Sequence, residues 1–228
     1  MTSIDERVVL RQRALETGLR LMAERGYAAV TVEQIAAAAD LPVETFQQLF
    51  PGKESLVMAL YQQLAAETLS RCETLPPGTV AARFHHVMRA ELDQFAPHRE
   101  PLAGLFGAAM SPHVELGILG THGTSAHDPM RQVFTAVVTG ASDPPKDQQV
   151  RQIATLLYAA YLAVVLFWLY DRTSGSRASA YLLDFMRDGL GLARGAMILP
   201  PVANTIARLA SVFEAVFGKS PNSDDLSP

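Results

Sequence analysis

The chain contains a single cysteine and has no excess of positive charge. Only Cys72 carries a thiol among 228 residues, so no disulfide can form within the chain, which fits a reducing compartment such as the cytoplasm. Lys and Arg number 19 against 23 Asp and Glu, a formal net charge of −4. This balance gives no global positive field to hold nucleic acid or an anionic membrane. Any contact with DNA therefore has to come from a local patch.

The sequence also lacks strand-like alternation and the apolar core of a secretion signal. Ala and Leu outweigh the β-branched and aromatic residues in most windows, which favours helices over strands. Residues 1–13, MTSIDERVVLRQR, are too charged for a signal peptide. We therefore expect an all-α protein in the cytoplasm.

One apolar run raises the question of a membrane. Residues 153–170 read IATLLYAAYLAVVLFWLY, with Thr155 as the one clearly polar side chain. The length lies at the lower edge for a membrane span, and a helix buried inside a bundle or at a dimer interface has the same composition. Because the other predicted helices are two-faced and can cover it, we expect a buried helix without membrane contact. A membrane-anchored regulator is the less favoured alternative.

The N-terminal part predicts two helices with local start and stop signals. Residues 6–25 carry apolar side chains at helical spacing, and Gly26 follows in a C-terminal cap position. Thr31 and Gln34 have the T-x-x-Q spacing of a capping box, which predicts that a second helix begins there.

A tight turn and a third helix come next. Asp40-Leu41-Pro42 predicts the turn, because proline is tolerated at a helix start and not inside one. The third helix is expected over about residues 43–50, Pro51-Gly52 ends it, and Lys53 begins a longer fourth helix. This is the plan of a helix-turn-helix reader, in which the second helix of the pair enters the major groove of DNA.

Longer helices follow the breaker Leu75-Pro76-Pro77-Gly78. They are expected at about residues 80–95, 100–110, 129–140, 147–173, 177–197 and 201–217. We expect three parts: a DNA-binding domain at 1–58, an effector-binding and dimerisation domain at 59–217, and a disordered polar tail at 218–228.

The N-terminal motif has a family resemblance. Its residues are Gly26-Tyr27, Thr31-Val32, Ile35-Ala36, Ala39, Thr45-Phe46, Phe50 and Lys53-Glu54-Ser55-Leu56. In order and spacing they resemble the signature of the TetR family of bacterial transcriptional regulators over roughly residues 7–60. For residues 79–217 the similarity is architectural. The resemblance implies a homodimer that pairs through its C-terminal helices, binds a palindromic double-stranded DNA operator and is released by a small-molecule effector.

The motif departs from the family at positions near DNA. The family usually has Gly at Asp40, Ser at Pro42, Tyr at Gln47, and His or Tyr at Leu49. Residues 1–58 contain six Lys and Arg against eight Asp and Glu. Phosphate neutralisation supplies most non-specific DNA affinity, so that background affinity should be low. A helical dimer that binds a small molecule or a protein partner, with a decayed helix-turn-helix, is the alternative function.

Polar residues of this module still form a footprint for DNA. Arg7 and Arg11, with Arg13 nearby, can reach the flanking backbone, and Thr31 can meet a phosphate. Gln47 and Gln48 suit base edges, whereas Glu44 either accepts from cytosine or is only solvated. The resemblance adds phosphate contacts for Thr45 and Lys53. The candidate DNA-binding residues are Arg7, Arg11, Thr31, Val43, Glu44, Thr45, Gln47, Gln48 and Lys53.

The C-terminal half offers apolar side chains for an effector and little catalytic chemistry. The candidate ligand-binding residues are Phe84, Met88, Leu92, Phe106, Met110, Phe134, Tyr158, Tyr161 and Trp168. For any single one of them, a place in the core is the favoured interpretation, so only an apolar class of effector is indicated. The histidines His113, His122 and His127 lack helical metal-ligand spacing. We expect no enzyme activity, cofactor or metal.

Overall fold

The computed structural model describes residues 4–109, 129–196 and 200–217. Within these ranges all regular elements are helical, which confirms the all-α expectation. The α-helices are α1 (Ile4–Arg25), α2 (Val32–Ala38), α3 (Val43–Leu49), α4 (Lys53–Arg71), α5 (Val80–Phe95), α6 (Arg99–Ala109), α7 (Pro129–Thr139), α8 (Asp147–Tyr170), α9 (Arg177–Ala196) and α10 (Pro200–Phe217). Met110, the three loop histidines and the tail at 218–228 lie outside the described residues.

The chain divides into two compact units. The first comprises Met1–Leu64 and Phe95–Val114, and the second comprises Ala65–Gln94 and Glu115–Pro228. The first unit thus includes α6 as well as the N-terminal helices. The functional division expected at residue 58 stays a prediction.

Helix α1 approaches α4 closely at Gly18. A Cβ added at Gly18 of α1 would lie 2.7 Å from Leu56 Cδ1 of α4, so the glycine permits an approach that alanine would obstruct. Ile35 also lies close to Gly18, and Met22, Ile35 and Phe46 are all fully buried in this unit. Met22 is one of the apolar positions at helical spacing in residues 6–25, so periodicity predicts its burial correctly, whereas Val8, an apolar position expected on the same face, is 62% exposed.

Tyr27 joins α6 to the N-terminal helices. Its ring occupies the space that a side chain at Gly104 would need, since a Cβ there would lie 2.1 Å from Tyr27 Cγ. The Tyr27 hydroxyl donates to Glu54 Oε1 at 2.9 Å. Burial, together with this acceptor and its negative charge, raises the pKa of Tyr27 well above its ordinary range. The phenol therefore stays protonated and keeps donating to Glu54.

The apolar helix α8 lies in the core of the second unit. It has the length and composition of a membrane span, but 56% of its most apolar window is buried within the chain. It packs against α7 and α10, and its buried side chains include Tyr158, Tyr161 and Trp168. Burial on this scale is typical of a core helix, as the sequence indicated.

A buried arginine fixes the start of α5 to the end of α7. Arg83 donates from Nε to the carbonyl of Val137 at 3.1 Å and from Nη2 to that of Ala136 at 3.2 Å. A third bond runs from Nη1 to the carbonyl of Pro76 at 3.3 Å. The cation thus satisfies carbonyl groups at the negative end of α7, which stabilises that end.

Candidate nucleic-acid interface

The capping box predicted at the start of α2 is formed. Thr31 Oγ1 accepts from the Gln34 amide at 3.4 Å, and Gln34 Oε1 accepts from the Thr31 amide at 3.1 Å. The Thr31 hydroxyl also bonds Glu33, which lowers the pKa of that exposed carboxyl. Two of the orphan amides of α2 are satisfied inside the protein, and a carboxylate stands beside them. A phosphate at Thr31 would have to approach that negative charge.

The turn between α2 and α3 needs a left-handed residue. Asp40 has φ +52°, and its amide donates to the carbonyl of Ala37 at 3.2 Å. The Leu41 amide donates to the carbonyl of Ala36 at 2.9 Å. These two bonds form a Schellman motif, which usually has glycine at its left-handed position. This geometry explains why the family that the motif resembles usually has glycine here. Asp40 adopts the same left-handed conformation although it carries a Cβ.

Helix α3 presents a short polar face. Phe46 and Leu49 are buried on one side, followed by the buried Phe50 at the C-cap. Glu44, Gln47 and Gln48 are exposed on the other side. Val43 and Thr45 are half-buried. The structure therefore brings three of the nine predicted DNA-binding side chains onto one exposed face.

Leu49 is not a surface position in this chain. Its side chain is only 8% exposed and belongs to the core of the helix-turn-helix. A hydrophobic residue there buries apolar area that a histidine or tyrosine would partly forfeit. Leucine at this position therefore offers no polar group to DNA and instead contributes its side chain to the core.

The arginines of α1 bind the end of α3. Arg11 Nη1 donates to the carbonyl of Leu49 at 2.6 Å, and the guanidinium lies 4.2 Å from the centre of the Phe50 ring. Arg7 Nη2 reaches the carbonyl of Gln48 at 3.4 Å. Positive charge at the C-terminus of a helix interacts favourably with its dipole. The two cations thus hold the C-terminal end of α3 in position.

Arg13, two residues further along α1, also donates to a backbone carbonyl. Its Nη2 donates to the carbonyl of Asp40 at 3.2 Å, in the turn between α2 and α3. Sequence reasoning placed these arginines near the DNA backbone and missed their internal acceptors. Arg7 and Arg11 have i, i+4 spacing, which puts them on one face of α1, but nothing local identifies the carbonyls they meet.

Lys53 is engaged inside the protein. Its Nζ donates to the carbonyl of Tyr27 at 2.9 Å and to that of Val30 at 3.1 Å. The ammonium also lies 4.4 Å from the centre of the Tyr27 ring. The lysine therefore fastens the segment between α1 and α2 to the start of α4. Two of its three donors are used in this way.

The candidate effector residues are core residues in the structure. Phe84, Met88, Leu92, Phe134, Tyr158, Tyr161 and Trp168 are buried in the second unit, and Phe106 is buried in the first. Phe134 lies at the centre of an aromatic cluster, 5.5 Å from the Tyr161 ring and 5.8 Å from the Phe84 ring. This packing fits the interpretation that the candidate effector residues belong to the hydrophobic core. Their contact with an effector stays a prediction.

A cavity of about 430 Å³ lies elsewhere in the second unit. Its walls come from the start of α5, the segment between α7 and α8, the start of α8, the end of α9 and the middle of α10. None of the candidate effector residues lines it. A sequence pattern could not identify it, because the wall residues are up to about 130 positions apart, from Thr79 to Ile206.

Exposed apolar side chains gather on the last three helices. Phe167 and Tyr170 of α8, Tyr181, Phe185 and Leu192 of α9, and Leu209 and Val212 of α10 are all exposed. Phe185 is 74% exposed and Leu192 is 82% exposed. Several large exposed apolar side chains on three helices of one unit make these helices a candidate interaction surface.

The comparisons with known proteins agree on one family. Residues 14–60 match the model of the bacterial regulatory proteins, tetR family. A TetR transcriptional regulator from Nitrosomonas europaea has a similar structure, with a TM-score of 0.60, 20% identity, and coverage of 81% of this chain and 98% of that one.

Two further solved structures are similar at the level of the fold. A TetR-family regulator from Streptomyces coelicolor has a TM-score of 0.57 and 20% identity, with coverage of 94% of this chain and 90% of that one. A TetR regulator from Rhodococcus sp. RHA1 also has a TM-score of 0.57, with 17% identity and coverage of 81% and 97%. No curated protein sequence matches this chain.

Proposed function

We propose that this chain is a TetR-family transcriptional regulator that represses transcription by binding a palindromic DNA operator as a homodimer, because residues 14–60 match the model of that family. A small, mainly apolar effector releases it. The observation that carries this proposal is the exposed face of α3, formed by Glu44, Gln47 and Gln48. Arginines of α1 bond the C-terminal end of this helix and the turn that precedes it. We place the protein in the cytoplasm and assign it no catalytic activity.

The polar face of α3 is suited to base edges more than to phosphates. The amides of Gln47 and Gln48 can each pair with adenine N6 and N7 in the major groove. The Glu44 carboxylate can accept a hydrogen bond from cytosine N4, whereas it repels the acceptor atoms of guanine and thymine. Arg11 and Lys53 have acceptors within the protein: Arg11 bonds the end of α3, and Lys53 bonds the segment between α1 and α2. Sequence discrimination therefore rests on very few side chains.

Low background affinity follows from the charge. Residues 1–58 carry six basic and eight acidic side chains, a net of −2. Few phosphates are neutralised on binding, so few counterions are released and the dependence of affinity on salt is shallow. Specific binding must then come from direct contacts with bases and from the correct spacing of two recognition helices.

The exposed apolar surface of α8, α9 and α10 supports dimerisation. Burying such side chains against a second copy removes apolar area from water, which favours association. A two-fold dimer would place two α3 helices in successive major grooves, about 34–36 Å apart. An effector that prefers one arrangement of the dimer changes this spacing and lowers operator affinity.

DNA binding is tested with fluorescence anisotropy on the DNA upstream of the protein's own gene. We expect saturable binding that weakens as salt rises, and a loss of about tenfold or more for Gln47→Ala. Gln62→Ala is the matched control, because Gln62 is an exposed glutamine on α4 outside this face. An absence of salt-dependent binding to this DNA and to any selected sequence would refute the regulator proposal.

The decayed-module alternative has its own test. The net charge of −2 in residues 1–58 is the observation that favours it. Gln47→Tyr restores the usual family residue at an exposed position of α3, whereas a polar residue at the buried Leu49 would disturb the core. DNA binding that appears only with Gln47→Tyr supports the alternative, and binding by the natural chain excludes it.

A further inference from the structure

We propose that the cavity of about 430 Å³ in the second unit binds an uncharged, mainly apolar small molecule with a hydrogen-bond acceptor at one end. Its volume lies within the range of small-molecule pockets, roughly 300–1,000 Å³. As the location of the effector, this inference rests on the proposed function. As a binding site, it stands on the geometry of the cavity alone.

The walls are apolar and come from rigid elements. Ile153 and Leu157 at the start of α8, Leu190 of α9 and Ile206 of α10 all line the cavity. Ile153 and Leu157 are nearly buried and belong to the core helix of the unit. A ligand that removes these walls from water gains from apolar burial, so most of its surface should be apolar.

The polar groups of the lining cluster in one corner. Asp143 Oδ1 accepts from the Val80 amide at 2.8 Å, and Asp143 Oδ2 accepts from Arg194 Nε at 3.0 Å. Arg194 Nη2 reaches the carbonyl of Pro144 at 3.4 Å. Thr79, next to Val80, adds a hydroxyl. Both carboxylate oxygens of Asp143 therefore already have donors, whereas among the described residues no acceptor is bonded to Arg194 Nη1, which can donate to a ligand.

The ion pair determines the charge of the ligand. Asp143 and Arg194 cancel each other, so an acidic ligand would face the Asp143 carboxylate and a basic one would face the Arg194 guanidinium. An uncharged ligand avoids both repulsions. A carbonyl, ether or hydroxyl oxygen near Arg194 Nη1 would fix its orientation, as hydrogen bonds do in largely apolar sites.

Gly191 allows the cavity to be filled without breaking the fold. It lines the cavity, and a Cβ added there would meet nothing within 4 Å. Leucine is also a better helix former than glycine, so Gly191→Leu should fold at least as well as the natural chain. Gly189→Leu is the matched control, since Gly189 lies on the same helix, has the same open space at Cβ and does not line the cavity.

The test uses two naphthalene fluorophores on the full chain without DNA. We expect the uncharged ketone prodan to bind with one saturable site per chain and a blue-shifted emission. Gly191→Leu should weaken this binding about tenfold or more, and Gly189→Leu should leave it unchanged. The anionic anilinonaphthalene sulfonate should bind the natural chain weakly, and Asp143→Asn, which leaves Arg194 unpaired, should strengthen its binding.

Two results would overturn the proposal. One is the absence of saturable prodan binding. The other is equal prodan binding by the natural chain and Gly191→Leu, which would place the fluorophore on the exposed apolar surface of α8, α9 and α10. Because DNA takes no part, failure here leaves the regulator proposal intact, and failure of operator binding leaves the cavity intact.

Discussion

Replacing Glu91 with glutamine should remove a pH dependence of folding stability that this one carboxyl creates. Glu91 is fully buried on α5 and accepts a hydrogen bond from the Thr68 hydroxyl of α4 through Oε2. Its other oxygen, Oε1, has no hydrogen-bond partner within the described structure. Burial raises the pKa of Glu91 to about 7, against smaller lowering effects of the Thr68 bond and of the Arg71 charge.

The sign follows from the direction of this change. The folded protein holds the proton of Glu91 more tightly than the unfolded chain, whose carboxyl has a pKa near 4.5. The stabilising effect is therefore complete below about pH 4.5 and is lost as pH rises through about 7. Raising the pKa by this amount makes ionisation in the folded state costlier by roughly 3 kcal/mol.

The measurement is urea unfolding at pH 5 and at pH 8.5, for the natural chain, Glu91→Gln and Asp93→Asn. Asp93 is the control because it is an exposed carboxylate on the same helix. We expect the natural chain and Asp93→Asn to lose roughly 2–3 kcal/mol more than Glu91→Gln between the two pH values. Glutamine's extra donor lowers stability equally at both values, so it does not enter the difference. Parallel pH curves for the natural chain and Glu91→Gln would refute this reasoning.

Three further predictions concern single contacts. Asp40→Gly relieves a left-handed residue in the Schellman turn and should raise the free energy of unfolding by about 0.5–1 kcal/mol, as measured by urea unfolding. Arg11→Met removes the bond to the Leu49 carbonyl and should cost about 1–2 kcal/mol in the same assay, whereas Arg20→Met, at an exposed pair with Glu24, should cost under about 0.5 kcal/mol. Phe185→Asp places a charge on the exposed apolar surface and should shift the protein to monomers in analytical ultracentrifugation; an unchanged dimer would show that Phe185 lies outside the interface.

Much of the N-terminal module could be predicted from the sequence, because its signals are local. The T-x-x-Q spacing at Thr31 predicts the capping box that forms, and Gly26 predicts the end of α1, where its φ is +86°. Such signals act within one turn of helix, so the residues that satisfy each other are also close in the sequence. The buried face of α5 follows in the same way from periodicity.

Longer-range pairings decide the rest. The sequence does not indicate that Arg11 meets the Leu49 carbonyl, 38 residues away, and therefore that a cation expected at DNA positions α3 instead. Two further features depend on contacts between distant parts of the chain. They are the bond between Thr68 and the buried Glu91, and the cavity whose walls span residues 79–206. The neighbouring sequence is the same whether a charged side chain is free or paired. Only the packing of separate helices selects its partner and sets the dielectric around it. The sequence alone thus determined the helices and the exposed polar residues of α3, while the tertiary structure decided which charges remain available and where a small molecule has room.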